Sequence, residues 1–167
     1  MSKFILDATV WLNFARAEAI DVLVNGLQGE LVVGMIVRQR EMLRWPTTCS
    51  RAGQPFSFDA FVSTGQVDCA EMNSEELGRF STVKASLKLG DGETEAFVIA
   101  ANRNWTVATD DGAAGKRFNS SPVPPPISGS IGLLRVLAKA GTIGRGQAAD
   151  LLHLMRERGG RLPDETI

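Results

Sequence analysis

Tyrosine is absent from the 167 residues, histidine occurs once and cysteine twice. Cys49 and Cys69 lack CxxC spacing, and His153 alone cannot complete a nitrogen–sulfur ligand set, so neither a disulfide framework nor a zinc site is supported. The apolar stretches fall well short of the roughly 20 residues that span a bilayer. The opening MSKFILDATVW has neither the apolar run nor the small-residue cleavage site of a signal peptide, so a cytoplasmic protein with no membrane partner is expected. A formal net charge of −1 gives no general basic field, and contact with a nucleic acid must rest on a local basic patch or a metal ion. The GxxxxGK[ST] and GxGxxG nucleotide fingerprints are missing, because LGDGETEA completes neither.

What remains is an ordinary globular composition, 44% hydrophobic and 22% charged, which fits one domain over residues 1–167 with a buried core. FILDA (4–8) reads as a short buried strand. Helical spacing of Leu12, Phe14, Ile20, Leu23 and Leu27 follows over 9–26, with a break near Ala19. LVVG is a second strand, MIVRQREML (35–43) a helix that Pro46 helps to stop, and 45–68 an irregular segment with a strand at 65–69. Asn73 or Ser74 caps a helix through Leu87, with Glu75 and Glu76 favouring the positive end of its dipole. The helix TEAFVIAANRN (94–104), the strand WTVAT (105–109), a short helix over 112–118, a proline-rich connection and two helices over 130–140 and 145–158 complete the chain.

Short apolar strands alternating with helices imply a parallel sheet covered on both faces. Ligands of such sheets sit beyond the carboxyl ends of the strands. Asp7 ends the first strand, and Asp110 with Asp111 ends WTVAT, so acids from two strands converge on one edge. Asp91, Glu93 and Glu95 open the next-door helix. Residues two apart on a helix point about 200° away from each other, so Glu93 and Glu95 cannot both face one point. Glu41 is a fourth source of charge.

Each acid also has a plain structural role open to it. Asp110 and Asp111 serve equally as a turn and helix cap, Glu93 as a favourable first-turn charge, and Glu41 as a solvated partner of an arginine. Asp7 resists such treatment, since it interrupts the apolar FILDATVWL. His153 reads as structural, and Leu133, Leu134, Val136, Leu137, Leu151, Leu152, Leu154 and Met155 as core or dimer packing. Arg38, Arg40, Arg44, Lys116 and Arg117 are phosphate candidates whose default is a solvated surface.

In order, Asp7-Ala8-Thr9 after a strand, R-E-M-L at 40–43, L-G-D-G-E-T-E-A at 89–96 and T-D-D at 109–111 resemble a PIN domain. The tail GSIGLLRVLAKAG with the following helix and RLPDE is similar to the end of a VapC-like PIN branch. The resemblance implies a three-layer α/β/α sandwich with a short, mostly parallel sheet, and a metal-dependent endoribonuclease, often the toxin of a toxin–antitoxin pair. It matches the family acids to Asp7, Glu41, Glu95 and Asp111, with Glu93 as the rival of Glu95. Asp110 orients Asp111 or shares the metal, and Thr9 and Thr109 support the carboxylates. The 45–68 segment and the prolines at 122–126 depart from the family pattern.

Clustered carboxylates raise one another's pKa values until a cation or protons enter. Oxygen-only ligands suit Mg²⁺ or Mn²⁺, here through Asp7, Glu95, Asp110 and Asp111. Asp7, Glu41, Glu95 and Asp110 or Asp111 are therefore expected around one pocket, and the resemblance implies an RNA substrate, a small antitoxin protein and a homodimer as partners. Two other classes compete. A non-catalytic PIN scaffold would keep the fold alone, and an aspartyl-nucleophile phosphohydrolase would need a second Asp where Thr9 stands.

Overall fold

The computed structural model describes residues 3–41 and 43–167. Along them run β1 (Phe4–Leu6), α1 (Ala8–Arg16), α2 (Ile20–Gly26), β2 (Leu31–Gly34), α3 (Met35–Gln39), α4 (Asp59–Ser63) and β3 (Asp68–Ala70). There follow α5 (Ser74–Leu87), α6 (Asp91–Arg103), β4 (Thr106–Ala108), α7 (Gly112–Asn119), β5 (Ile127–Ser128), α8 (Ser130–Lys139) and α9 (Arg145–Glu157).

The five strands form one parallel sheet in the order β3-β2-β1-β4-β5. Strand residues alternate between two cores, as the pleat requires. Leu6, Leu31, Val33 and Ala108 pack with α1, α2, α8 and α9, while Ile5, Val32 and Val107 pack with α5, α6 and α7. The architecture is thus the expected α/β/α sandwich. Chain order reverses at β1, whose neighbours β2 and β4 lead to opposite edges, so the crevice between β1 and β4 is the topological switch point.

The expected break near Ala19 is present: Glu18 takes the left-handed conformation (φ 55°), which ends α1, and Ala19 caps α2. The helix expected over 35–43 is shorter. It stops at Gln39 with Arg40 as its cap, and Met42 lies outside the described residues. The reason is tertiary: Leu43 O accepts from Phe56 N at 3.1 Å and Trp45 N donates to Gln54 O at 3.0 Å, drawing the chain into an antiparallel bridge between Arg44 and Pro55. That bridge closes a nest of aromatic rings, with centroids 5.1 Å apart for Trp11–Phe58, 5.2 Å for Trp45–Phe56 and 4.8 Å for Phe56–Phe58. The segment read as irregular therefore carries its own core contacts together with α4, and the strand expected at 65–69 sits at Asp68–Ala70. Straight after the proline run comes β5, where Val107 N donates to Pro126 O at 2.9 Å; a sheet edge tolerates prolines because no ladder donor is needed there.

Candidate active site

The register Leu6↔Ala108 brings the residues that follow, Asp7 and Thr109, abreast at the carboxyl edge of the switch point. Asp7 occupies the N-cap position of α1, yet its side chain makes no cap hydrogen bond. Instead Asp7 Oδ2 accepts from Thr9 Oγ1 at 2.8 Å and from Thr109 Oγ1 at 3.1 Å. Asp7 is 5% exposed, and its Oδ1 receives no hydrogen bond from the described residues. The two threonines also knit the strand ends: Asp110 N donates to Thr9 Oγ1 and Asp111 N to Thr109 Oγ1, each at 3.1 Å.

The adjacent aspartates divide their work. Asp111 caps α7, its Oδ1 accepting from Ala113 N at 2.7 Å and Ala114 N at 3.0 Å. Asp110 turns the other way: Asn13 Nδ2 donates to it at 2.8 Å, Ser130 N at 2.8 Å, and the Ser130 hydroxyl also binds it. With both oxygens engaged by α1 and α8, Asp110 is a brace, whereas Asp111 keeps Oδ2 free of hydrogen bonds from the described residues. Asn13 and Ser130, both buried, escaped the sequence reading. Asn13 belongs to no motif and Ser130 passes unremarked inside GSIGLLRVLAKAG, and only the fold brings them to Asp110.

The remaining acids arrive from the other side of β1. Glu95, 1% exposed, accepts from Ile36 N at 2.9 Å, at the start of α3. Its carboxyl lies where a side chain on Gly34 would stand, since a Cβ there would come within 2.2 Å of Oε2. Burial pushes Glu95 up to about 7, against the pull of the Ile36, Met35 and Val37 backbone and with a further push from Glu41. Glu41, just past α3, rests on Gly92 in the same way, a Cβ there falling 2.1 Å from Oε1. Its pKa is raised by burial and then by the charges of Asp7, Glu93 and Asp91. Glu93 is the capping-box residue of α6, its carboxylate accepting from Gly90 N at 2.9 Å. His153 is solvent-exposed and pairs with Glu157 at 3.2 Å on the surface of α9.

The acids line more than one cavity. Asp110 and Asp111 line a cavity of about 570 Å³ with Thr9, Asn13, Arg16 and Arg161, and a second of about 700 Å³ beside α7 and α8. Glu95 and Asp91 line a third, of about 470 Å³, between α3 and α5. Among the described residues, no three acidic, histidine or cysteine side chains stand close enough to share one ion. The donor chemistry nevertheless suits a hard divalent cation: the donors are all oxygens, and none of Asp7, Glu41 and Glu95 is in an ion pair among the described residues. Mg²⁺ in particular needs only one or two carboxylates, completing its shell with waters and substrate phosphate.

The buried Glu95 makes a pH signature. Its folded pKa lies above the unfolded value of 4.5, so the metal-free protein should lose stability as pH rises from about 4.5 to about 7. Glu95→Gln should flatten that fall and raise stability above pH 7 by roughly 1–3 kcal/mol, the hydrogen bond from Ile36 being preserved. Urea melts across the window measure it, and a Gln variant with the parent's pH slope would contradict the assignment.

A family model described as a PIN domain (DUF3368) matches residues 3–167. No curated protein and no solved structure shows a significant match. Since the model spans almost the entire chain and its fold is the one found, with acids gathered at the switch point of the sheet, the chain belongs to the PIN-domain family.

Proposed function

We propose that the chain is a Mg²⁺- or Mn²⁺-dependent endoribonuclease with Asp7, Glu41, Glu95 and Asp111 at its reaction centre. PIN domains are typically nucleases. The observation that carries the reading is Asp7: a buried carboxylate at the switch point, oriented by Thr9 and Thr109 and left with an oxygen open toward the edge. Asp7, Glu95 and Asp111 are the residues that would hold the ion, at most two of them directly and the rest through water, while Asp110 braces the strand end. Once bound, such an ion polarises the scissile phosphate and stabilises the departing oxygen. Glu41, its pKa raised by burial and by neighbouring acids, is suited to take the proton of the attacking water.

The toxin role extends the same reading. The cavity between α3 and α5 is lined by Met35, Met72, Leu77 and Phe80 and borders Glu95 and Asp91. Leu77 is 56% exposed, an unusual state for a large apolar side chain here, and this supports the face as a seat for an antitoxin or a second copy. A partner lying there would cover Glu95. The experiment for the central reading is cleavage of single-stranded RNA by the purified chain: hydrolysis is expected with Mg²⁺ or Mn²⁺ and should cease on chelation. RNA left intact in Mn²⁺ would overturn it.

A further inference from the structure

Two arginines stand beside the acids without a carboxylate of their own. Arg16, at the last turn of α1, and Arg161, just after α9, line the 570 Å³ cavity that also holds Asp110 and Asp111. Neither forms an ion pair among the described residues, whereas neighbouring Arg158 is held by Glu18 at 3.1 Å and Arg135, on the far side of Asp110, by Glu165 at 3.0 Å.

Arg16 is built into the site. Its Nη1 donates to Asn13 Oδ1 at 2.7 Å, and Asn13 Nδ2 donates to Asp110 Oδ2 at 2.8 Å. Asn13 is 2% exposed, so this relay fixes the guanidinium relative to the strand end while leaving most of its donors free. Arg161 is brought in by the turn that ends α9. Gly159 takes φ +88°, Gly160 N donates to Met155 O at 2.8 Å, and Gly160 lies so close to Asn13 that a Cβ would fall 2.8 Å from Oδ1. The chain thus returns over the very residue that positions Arg16.

A phosphodiester approaching the acidic edge meets repulsion unless cations flank it, and a guanidinium fork pairs with phosphate oxygens in a bidentate manner. We infer that Arg16 and Arg161 form a phosphate-binding subsite that seats the RNA backbone next to the scissile bond, with Asn13 as the positioning residue; this rests on the ribonuclease reading. The strand would enter along the α1–α9 side, away from the apolar cavity between α3 and α5.

Binding of a labelled single-stranded oligouridylate of about twelve nucleotides tests it, measured by anisotropy in Mg²⁺ with Asp7→Asn in every protein to prevent turnover. Between roughly 50 and 200 mM KCl, Arg16→Gln and Arg161→Gln should each weaken binding about tenfold and each lower the salt slope by about 0.7, the contribution of one phosphate contact on a single strand. Arg145→Gln, on an exposed residue at the start of α9, should change neither. In the active background KM should rise with kcat nearly constant. Arg161 is exposed, so its variant reads the subsite even if Arg16→Gln fails to fold. Unchanged affinity and slope in Arg161→Gln, with the Asp7→Asn parent binding and the active chain cleaving RNA, would overturn the subsite alone. No binding or cleavage by the parent would overturn both it and the ribonuclease reading.

Discussion

Asp7→Asn is expected to lower metal-dependent RNA cleavage by roughly 10²–10⁴-fold, the range for removing a group that acts at the reacting atoms. The same variant should melt, without metal, at the parent's temperature or above it. Asn keeps the shape and still accepts from Thr9 and Thr109, while the charge that pushes up Glu41 is gone. Mn²⁺ should raise the melting temperature of the parent, because a ligand selective for the folded state stabilises it by mass action, and that increment should shrink in the variant. Asp111→Asn should share the loss of cleavage but retain the α7 cap, for which Asn serves as well as Asp. Asp111→Ala adds the loss of that cap, about 1 kcal/mol, independent of metal. Destabilisation of Asp7→Asn that ignores the ion, with cleavage intact, would make Asp7 a structural residue.

The largest effect on stability is expected at Glu76, outside the site. Its side chain is fully buried, accepting from Arg103 Nε and Nη2 at 2.8 Å each, from Asn73 N at 2.8 Å and from Asn102 Nδ2 at 3.2 Å. Arg103 in turn lies over Trp105, 5.0 Å from the ring centroid. Removing one partner of such a pair strands the other, so Glu76→Ala should cost about 3–5 kcal/mol, toward the lower end because the Arg103 side chain is 27% exposed. Burial pushes the Glu76 pKa up, but the bonds from Arg103, Asn73 and Asn102 outweigh it and leave the folded value below 4.5. The ionised group therefore contributes stability in full above that value and loses it as pH falls through the folded pKa. Urea melts from about pH 7 to about pH 3 should show the parent weakening at the acid end and the Ala variant weakening less. Equal acid limbs would contradict the role given to Arg103.

Much of this arrangement was legible because it is written in local pattern. Short apolar runs marked β1, β2 and β4, acids following the first and the last, and the rule for parallel sheets then put Asp7 on one edge with Asp110 and Asp111. Helix geometry said only that Glu93 and Glu95 cannot face one point, and the family pattern preferred Glu95; in the structure the N3 residue Glu93 bonds back to Gly90 while Glu95 is buried against Ile36. The end of α3 was not legible, because it depends on a bridge to Pro55 and on rings more than ten positions away. Asn13, Ser130, Arg16 and Arg161 were missed for a related reason. Each is an ordinary residue on an ordinary helix or turn, and its meaning comes from long-range contacts to Asp110 or to the same cavity. Strand order brings acids toward one edge but does not say which cavity each side chain lines: Asp110 and Asp111 border those beside α1 and α8, and Glu95 the one between α3 and α5.

The two rims of the sheet have a bearing on how copies of this chain can meet. β3 at one rim has three residues and β5 at the other has two, the latter entered through prolines. Open rims are templates for strand addition, and short, proline-flanked ones offer too few consecutive N–H and C=O groups to recruit another chain. Runaway β-polymerisation is thereby blunted at the rims, so a second molecule would have to meet the helical faces rather than extend the sheet.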